Sequence, residues 1–134
     1  MASRYRWLAL AALAAFLVGL TSCQHVRAAQ PVTQYISFSY NNGSCLQNGS
    51  SGVIDIVQNE PVVFKGTTSL NQFQAQFSSC PFSSCPVNSP NGSPVNVGQP
   101  TGTVGTTYNY SSITINNQQC SGVGSMGLRV KSSP

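Results

Sequence analysis

The sequence predicts an all-β protein: a small, disulfide-stapled β-sandwich of six to seven strands that follows an N-terminal signal helix. Three observations carry the prediction. From Val32 onward, apolar and polar residues alternate with period two, the mark of strands with one dry face and one wet face. Turn-forming clusters of Asn, Gly and Pro separate the alternating runs. Cys45, Cys80, Cys85 and Cys120 lie in the same region, an even set able to close two bridges. After Pro31 no window has a helical repeat.

In order, strand 33–40 sets Ile36, Phe38 and Tyr40 against Tyr35, Ser37 and Ser39. Ile54 and Ile56 alternate with Val53, Asp55 and Val57, and Val62 and Phe64 flank Val63. Phe73, Ala75 and Phe77 alternate with Gln74 and Gln76, and Leu128 and Val130 alternate with Arg129 and Lys131. The inward sets, together with Ile113 and Ile115, are the expected core. The turns are Asn41-Asn42-Gly43, Gln47-Asn48-Gly49, Asn59-Glu60-Pro61 and Asn91-Gly92, all in residues that tolerate tight backbone reversals. The longest irregular piece, Ser78 to Gly105, has room for one short strand at Val95–Val97. A loop of that length in a small domain is functional or pinned down.

Thr106 to Asn116 breaks the pattern. Tyr108 and Tyr110 share one parity, Ile113 and Ile115 the other. Either a bulge near Ser111-Ser112 re-phases the strand, or the two tyrosines face solvent. In the second case Tyr108 and Tyr110 would be candidate ligand-binding residues, an aromatic pair for gripping sugar or peptide.

Strand direction argues for the cysteine pairing. If strand 33–40 runs up, Cys45 sits in a loop at the top. Strands 53–57 and 62–65 run down and up, and 73–78 runs down, leaving Cys80 and Cys85 at the bottom. Strand 106–116 returns to the top, where Cys120 follows. The expected bridges are therefore Cys45–Cys120 and Cys80–Cys85.

Before this domain lie Arg4 and Arg6 and then an apolar run from Trp7 to Leu20. The run is shorter than the roughly 20 residues that span a bilayer, which fits an export signal. It ends in Leu20-Thr21-Ser22-Cys23, which resembles the lipobox of bacterial lipoproteins. That resemblance implies removal of residues 1–22, lipid on Cys23 and attachment to a membrane. The odd count of five cysteines agrees with it, because giving Cys23 to lipid leaves four. Gln24 follows the cysteine in place of the Asp that favours inner-membrane retention, so the resemblance implies the outer membrane of a Gram-negative envelope. The expected organisation is a signal peptide at 1–22, lipidated cysteine and tether at 23–32, and one domain at 33–134.

Two stretches of the domain also have a family likeness. Val53-Ile-Asp-Ile-Val-Gln-Asn-Glu-Pro-Val-Val-Phe64 looks like the paired first strands of cupredoxin-like and immunoglobulin-like sandwiches. Cys120-Ser-Gly-Val-Gly-Ser-Met126-Gly-Leu-Arg-Val130 is similar to the cupredoxin ligand loop. With no histidine between Cys120 and Met126, the resemblance implies the sandwich shape without copper, which needs two imidazoles beside its thiolate. Met126 has the parity of Leu128 and Val130 and reads as core.

Composition narrows the chemistry. Only 6% of the chain is charged. After Cys23 the acids are Asp55 and Glu60 and the bases Arg27, Lys65, Arg129 and Lys131, too scattered to form a phosphate-binding footprint. Nucleic acid is not an expected partner. The one histidine, His25, lies in the tether, so no Ser-His-acid triad can form inside the domain. Asp55 mid-strand and Glu60 in a turn do not make a carboxylate pair. The expectation is a non-enzymatic, lipid-anchored envelope protein without cofactor, with a structural or protein-contact role. The alternative is a carbohydrate- or peptide-binding module.

Overall fold

The computed structural model describes residues 29–67 and 72–134, and in it each alternating run forms a strand. Ten strands are present: β1 Gln34–Asn41, β2 Ser44–Gln47, β3 Val53–Val57, β4 Val62–Gly66, β5 Phe73–Phe77, β6 Val87–Ser89, β7 Val95–Gly98, β8 Thr107–Ile115, β9 Gln118–Gln119 and β10 Gly127–Lys131. One sheet has the order β2-β1-β4-β7. The other is β3-β10-β8-β5-β6, with β9 paired to the end of β8. The chain crosses repeatedly between sheets, so β1 lies parallel to β4 and β3 parallel to β10. The protein is an all-β sandwich. The expected signal helix, Cys23 and the first part of the expected tether lie outside the described residues.

Six to seven strands were expected and ten form. The additional three are β2, β6 and β9, with sequences SCLQ, VNS and QQ. Two to four mostly polar residues show no readable period; their partners, β1, β5 and β8, impose the extended conformation. The short strand expected at Val95–Val97 is β7.

Tight turns set the hairpins. Asn42 and Gly43 both have positive φ, as do Asn48 and Gly49 and the pair Asn116-Asn117. Two consecutive positive φ values give the turn whose twist matches that of paired strands, and Asn and Gly reach them at least cost. These turns join β1 to β2, return the chain at Gln47↔Ser50, and join β8 to β9.

The expected core is buried, with Tyr40 and Ile54 packed against it as half-buried residues and Met126 fully inside. Aromatic rings bridge the sheets. Phe38 stacks on Phe64 at 5.7 Å and meets Phe73 and Tyr110 at 5.5 and 6.0 Å, while Tyr110 stacks on Phe77 at 4.4 Å. Phe82, from the long loop, plugs the cluster edge-on against Phe64 and Phe77. That ring pins the loop from within, and the Cys80–Cys85 bridge closes around it.

A buried polar network joins three elements. The Gln47 carboxamide has no solvent exposure. It donates to the carbonyls of Gly52 and Gly127 at 2.6 and 2.9 Å and accepts from the Tyr110 hydroxyl at 2.9 Å. Among the described residues no buried side-chain polar atom lacks a hydrogen-bond partner. The Gln34 carboxamide makes a similar clamp at the other end, bonding both the N–H and the carbonyl of Val57.

The Cys45–Cys120 bridge ties the β1–β2 hairpin to the segment after β9, across 75 residues of sequence; Cys80–Cys85 spans five. In the chain-entropy account the long loop contributes about 4.5 kcal/mol and the short one about 2 kcal/mol. Denaturant unfolding is therefore expected to show a loss for Cys45→Ser with Cys120→Ser about twice that for Cys80→Ser with Cys85→Ser. Equal losses would contradict the assignment of the first bridge as the main staple.

Candidate functional site

The tyrosines singled out for ligand binding do not serve as an exposed pair. In the pairing of β5 with β8, Gln76 faces Ser112 and Phe77 faces Tyr110, so Ser111 is skipped. This bulge brings Tyr108, Tyr110, Ile113 and Ile115 to the same interior, with Tyr108 9% and Tyr110 2% exposed. Neither ring offers a face to a sugar or peptide. The correction follows from sandwich geometry: one inserted residue costs less than leaving two large rings in water on a strand whose other half is core. The Tyr108 hydroxyl instead accepts the Thr103 N–H at 2.8 Å, and its ring lies over Gly102. A Cβ at Gly102 would sit 2.7 Å from that ring, so only glycine fits there.

Asp55, Arg129 and Lys131 form an exposed ionic cluster. Arg129 on β10 donates through Nε to Asp55 on β3 at 2.7 Å and through its fork at 3.2 Å, and Lys131 Nζ lies 3.5 Å away. The Arg129 hydrogen bond, helped by the charges of Arg129 and Lys131 and opposed by desolvation, holds the Asp55 carboxyl below its ordinary value of 3.8. All three side chains are nearly half exposed, so the cluster adds little to stability. Lys65 Nζ lies 4.9 Å from the centre of the exposed Tyr35 ring on the outer face of the first sheet. Among the described residues no three His, Cys, Asp or Glu side chains gather to hold a metal ion.

What remains is a concavity on the outer face of the second sheet, a hollow of about 140 Å³ lined by Gln72, Phe73, Gln74, Asn88, Thr114 and Asn117. Strand pairing positions it: Asn88 on β6 faces Gln74 on β5, which faces Thr114 on β8, which faces Gln119 on β9. Their sequence neighbours Phe73, Ala75, Val87, Ile113 and Ile115 are core, so alternation turns this row outward. The rim is fixed by a reciprocal clamp in which the Gln72 N–H donates to Asn116 Oδ1 and the Asn116 N–H donates to the Gln72 carbonyl. Sequence reading singled out Tyr108 and Tyr110 for ligand binding but not this row. Its signal was the outward parity of Gln74 and Gln76, which also fits an ordinary solvated face.

No protein-family description matches the chain, and no curated protein sequence does. Among solved structures, the chain has a weak resemblance to Fet3p, a multicopper oxidase that functions in iron import. The two are 13% identical with a TM-score of 0.35, over 76% of this chain and 23% of that protein. This chain thus corresponds to less than a quarter of that enzyme, and so slight a likeness transfers neither copper nor oxidase chemistry.

Tyr110 provides a pH test of the interior. Burial pushes its hydroxyl well above the ordinary tyrosine value of 10.0, so the folded state keeps the proton that the unfolded chain releases. The stability this represents is full below pH 10 and is lost as pH rises beyond it. Stability measured upward from pH 9 is expected to fall more steeply in the wild type than in Tyr110→Phe. Parallel curves would contradict a buried, neutral Tyr110.

Proposed function

We propose that this is a lipid-anchored, non-enzymatic envelope protein whose β-sandwich acts by structure and contact rather than by chemistry. The observation that carries the reading is the use of the cysteines. Cys45, Cys80, Cys85 and Cys120 are all consumed in two bridges with one another, and Cys23 stands outside both, at the end of the lipobox-like Leu20-Thr21-Ser22-Cys23. Disulfides belong to oxidising compartments outside the cytosol, where an exported lipoprotein would fold. Three acyl chains on Cys23, at about 0.8 kcal/mol per buried methylene, would make attachment effectively permanent. With Gln24 after the cysteine, the outer membrane of a Gram-negative cell is the favoured destination.

The domain's construction supports a contact role. From Gly66 to Leu128 the sequence has no charged residue and no histidine, so over half of the mature chain has no side chain suited to acid-base work near neutral pH. The tether joins β1 at the end of the sandwich where Gln34 pairs with Val62 and clamps Val57. The hollow, between the start of β5 and the end of β8, lies at the opposite end.

Mass spectrometry of the mature N-terminus tests the reading. The expected result is a chain beginning at Cys23 with acyl mass attached and membrane-bound, and a Cys23→Ala form released from the membrane fraction or left unprocessed. An unmodified wild-type chain beginning at Ala29, cut as an ordinary secretory signal after the small-x-small site Val26-Arg27-Ala28, would overturn it.

A further inference from the structure

We infer that the hollow at the tether-distal end of the second sheet is a binding subsite for a neutral glycan, gripped by the side chains of Gln72, Gln74, Asn88, Thr114 and Asn117. It rests on the anchoring proposal only for orientation, because the tether leaves from the other end.

Four observations converge. First, size: a cavity of about 150 Å³ takes a single six-membered ring, and this open hollow is about 140 Å³. Second, chemistry: apart from Phe73, whose ring is turned into the core, its lining is amide and hydroxyl. Carboxamides donate and accept at once, matching sugar hydroxyls that do the same. Third, availability. Six carboxamides outside the hollow are used internally: Gln34 and Gln47 clamp strands, Asn48 bonds β1, Asn91 and Asn96 close turns, and Gln99 reaches Asn59. Among the described residues the carboxamides of Gln74, Asn88 and Asn117 have no hydrogen-bond partner, and all three residues are exposed. Their backbones are held in place, two by paired strands and one by the Asn116-Asn117 turn that the Gln72 clamp secures. Fourth, charge: the residues lining the hollow all come from the uncharged stretch between Gly66 and Leu128, so no cation in its wall draws an anionic ligand and no carboxylate there draws a basic peptide. The row from Asn88 through Gln74 and Thr114 to Gln119 steps about 4.8 Å per strand, which lets an oligosaccharide lie across β6, β5, β8 and β9.

The test uses the full lipidated chain in detergent micelles, isotope-labelled so that side-chain amide resonances are resolved. Neutral oligosaccharides of glucose and of N-acetylglucosamine are titrated in, with an oligogalacturonate as the anionic comparison. The expected result is a saturable shift of the Gln72, Gln74, Asn88 and Asn117 amide resonances with at least one neutral oligosaccharide, unchanged at high salt. Replacing Gln74→Ala together with Asn88→Ala is expected to weaken binding about tenfold. Both side chains are exposed, so the melting temperature should hold. The inference is overturned if no neutral oligosaccharide moves these resonances, if the folded double variant binds as well as the wild type, or if only the anionic chain binds, in a salt-sensitive manner. A chain lacking lipid on Cys23 would still show the shifts, so failure of the anchoring proposal and failure of the glycan subsite are separable.

Discussion

A carboxamide sealed from water fixes how the two sheets meet. Gln47 sits on β2 at the edge of one sheet, yet its side chain reaches β10 and β8 of the other through the Gly127 carbonyl and the Tyr110 hydroxyl. A buried amide without partners costs several kcal/mol, whereas a fully bonded one is tolerated and specifies a single arrangement. The register of β2 therefore cannot slip. A shift by one residue would turn Leu46 inward and Gln47 outward, break three hydrogen bonds, and carry Cys45 away from Cys120. The bridge and the polar network depend on the same two-residue Asn-Gly turns, which set where the hairpin begins and ends.

The rest of the fold repeats this use of neutral polar groups. Proteins of ordinary composition spread ion pairs over their surface; here a single cluster around Asp55 stands among the described residues. Strand ends and turns are closed by Gln and Asn instead. A surface held this way responds little to salt or to pH near neutrality, since few groups change charge there.

Much of the architecture was legible in the sequence, because half-buried strands must alternate. β1, β3, β4, β5, β7, β8 and β10 could be located from parity, and the bridges from the direction in which those strands run. Residues whose placement depends on partners far away in the chain were not legible. Gln47 has the same parity as Cys45, but a Gln between turn residues reads as solvated until Tyr110 and Gly127 are known to surround it. Phe82 stands among Ser, Pro and Cys without a period and becomes core only because its loop folds back under Phe64 and Phe77. The phase change in β8 was visible as a conflict between Tyr110 and Ile113; that the bulge falls at Ser111 depended on the register of β5. The cross-strand row at the hollow combines residues from four strands, and no local pattern records it.

Hydrogen exchange at the Gln47 carboxamide tests the central constraint most directly. The account predicts that its side-chain protons exchange as slowly as the core backbone amides of β8 and β10, released only by global unfolding. Exchange as fast as that of the solvent-facing Gln74 amide, in a domain still folded, would contradict it.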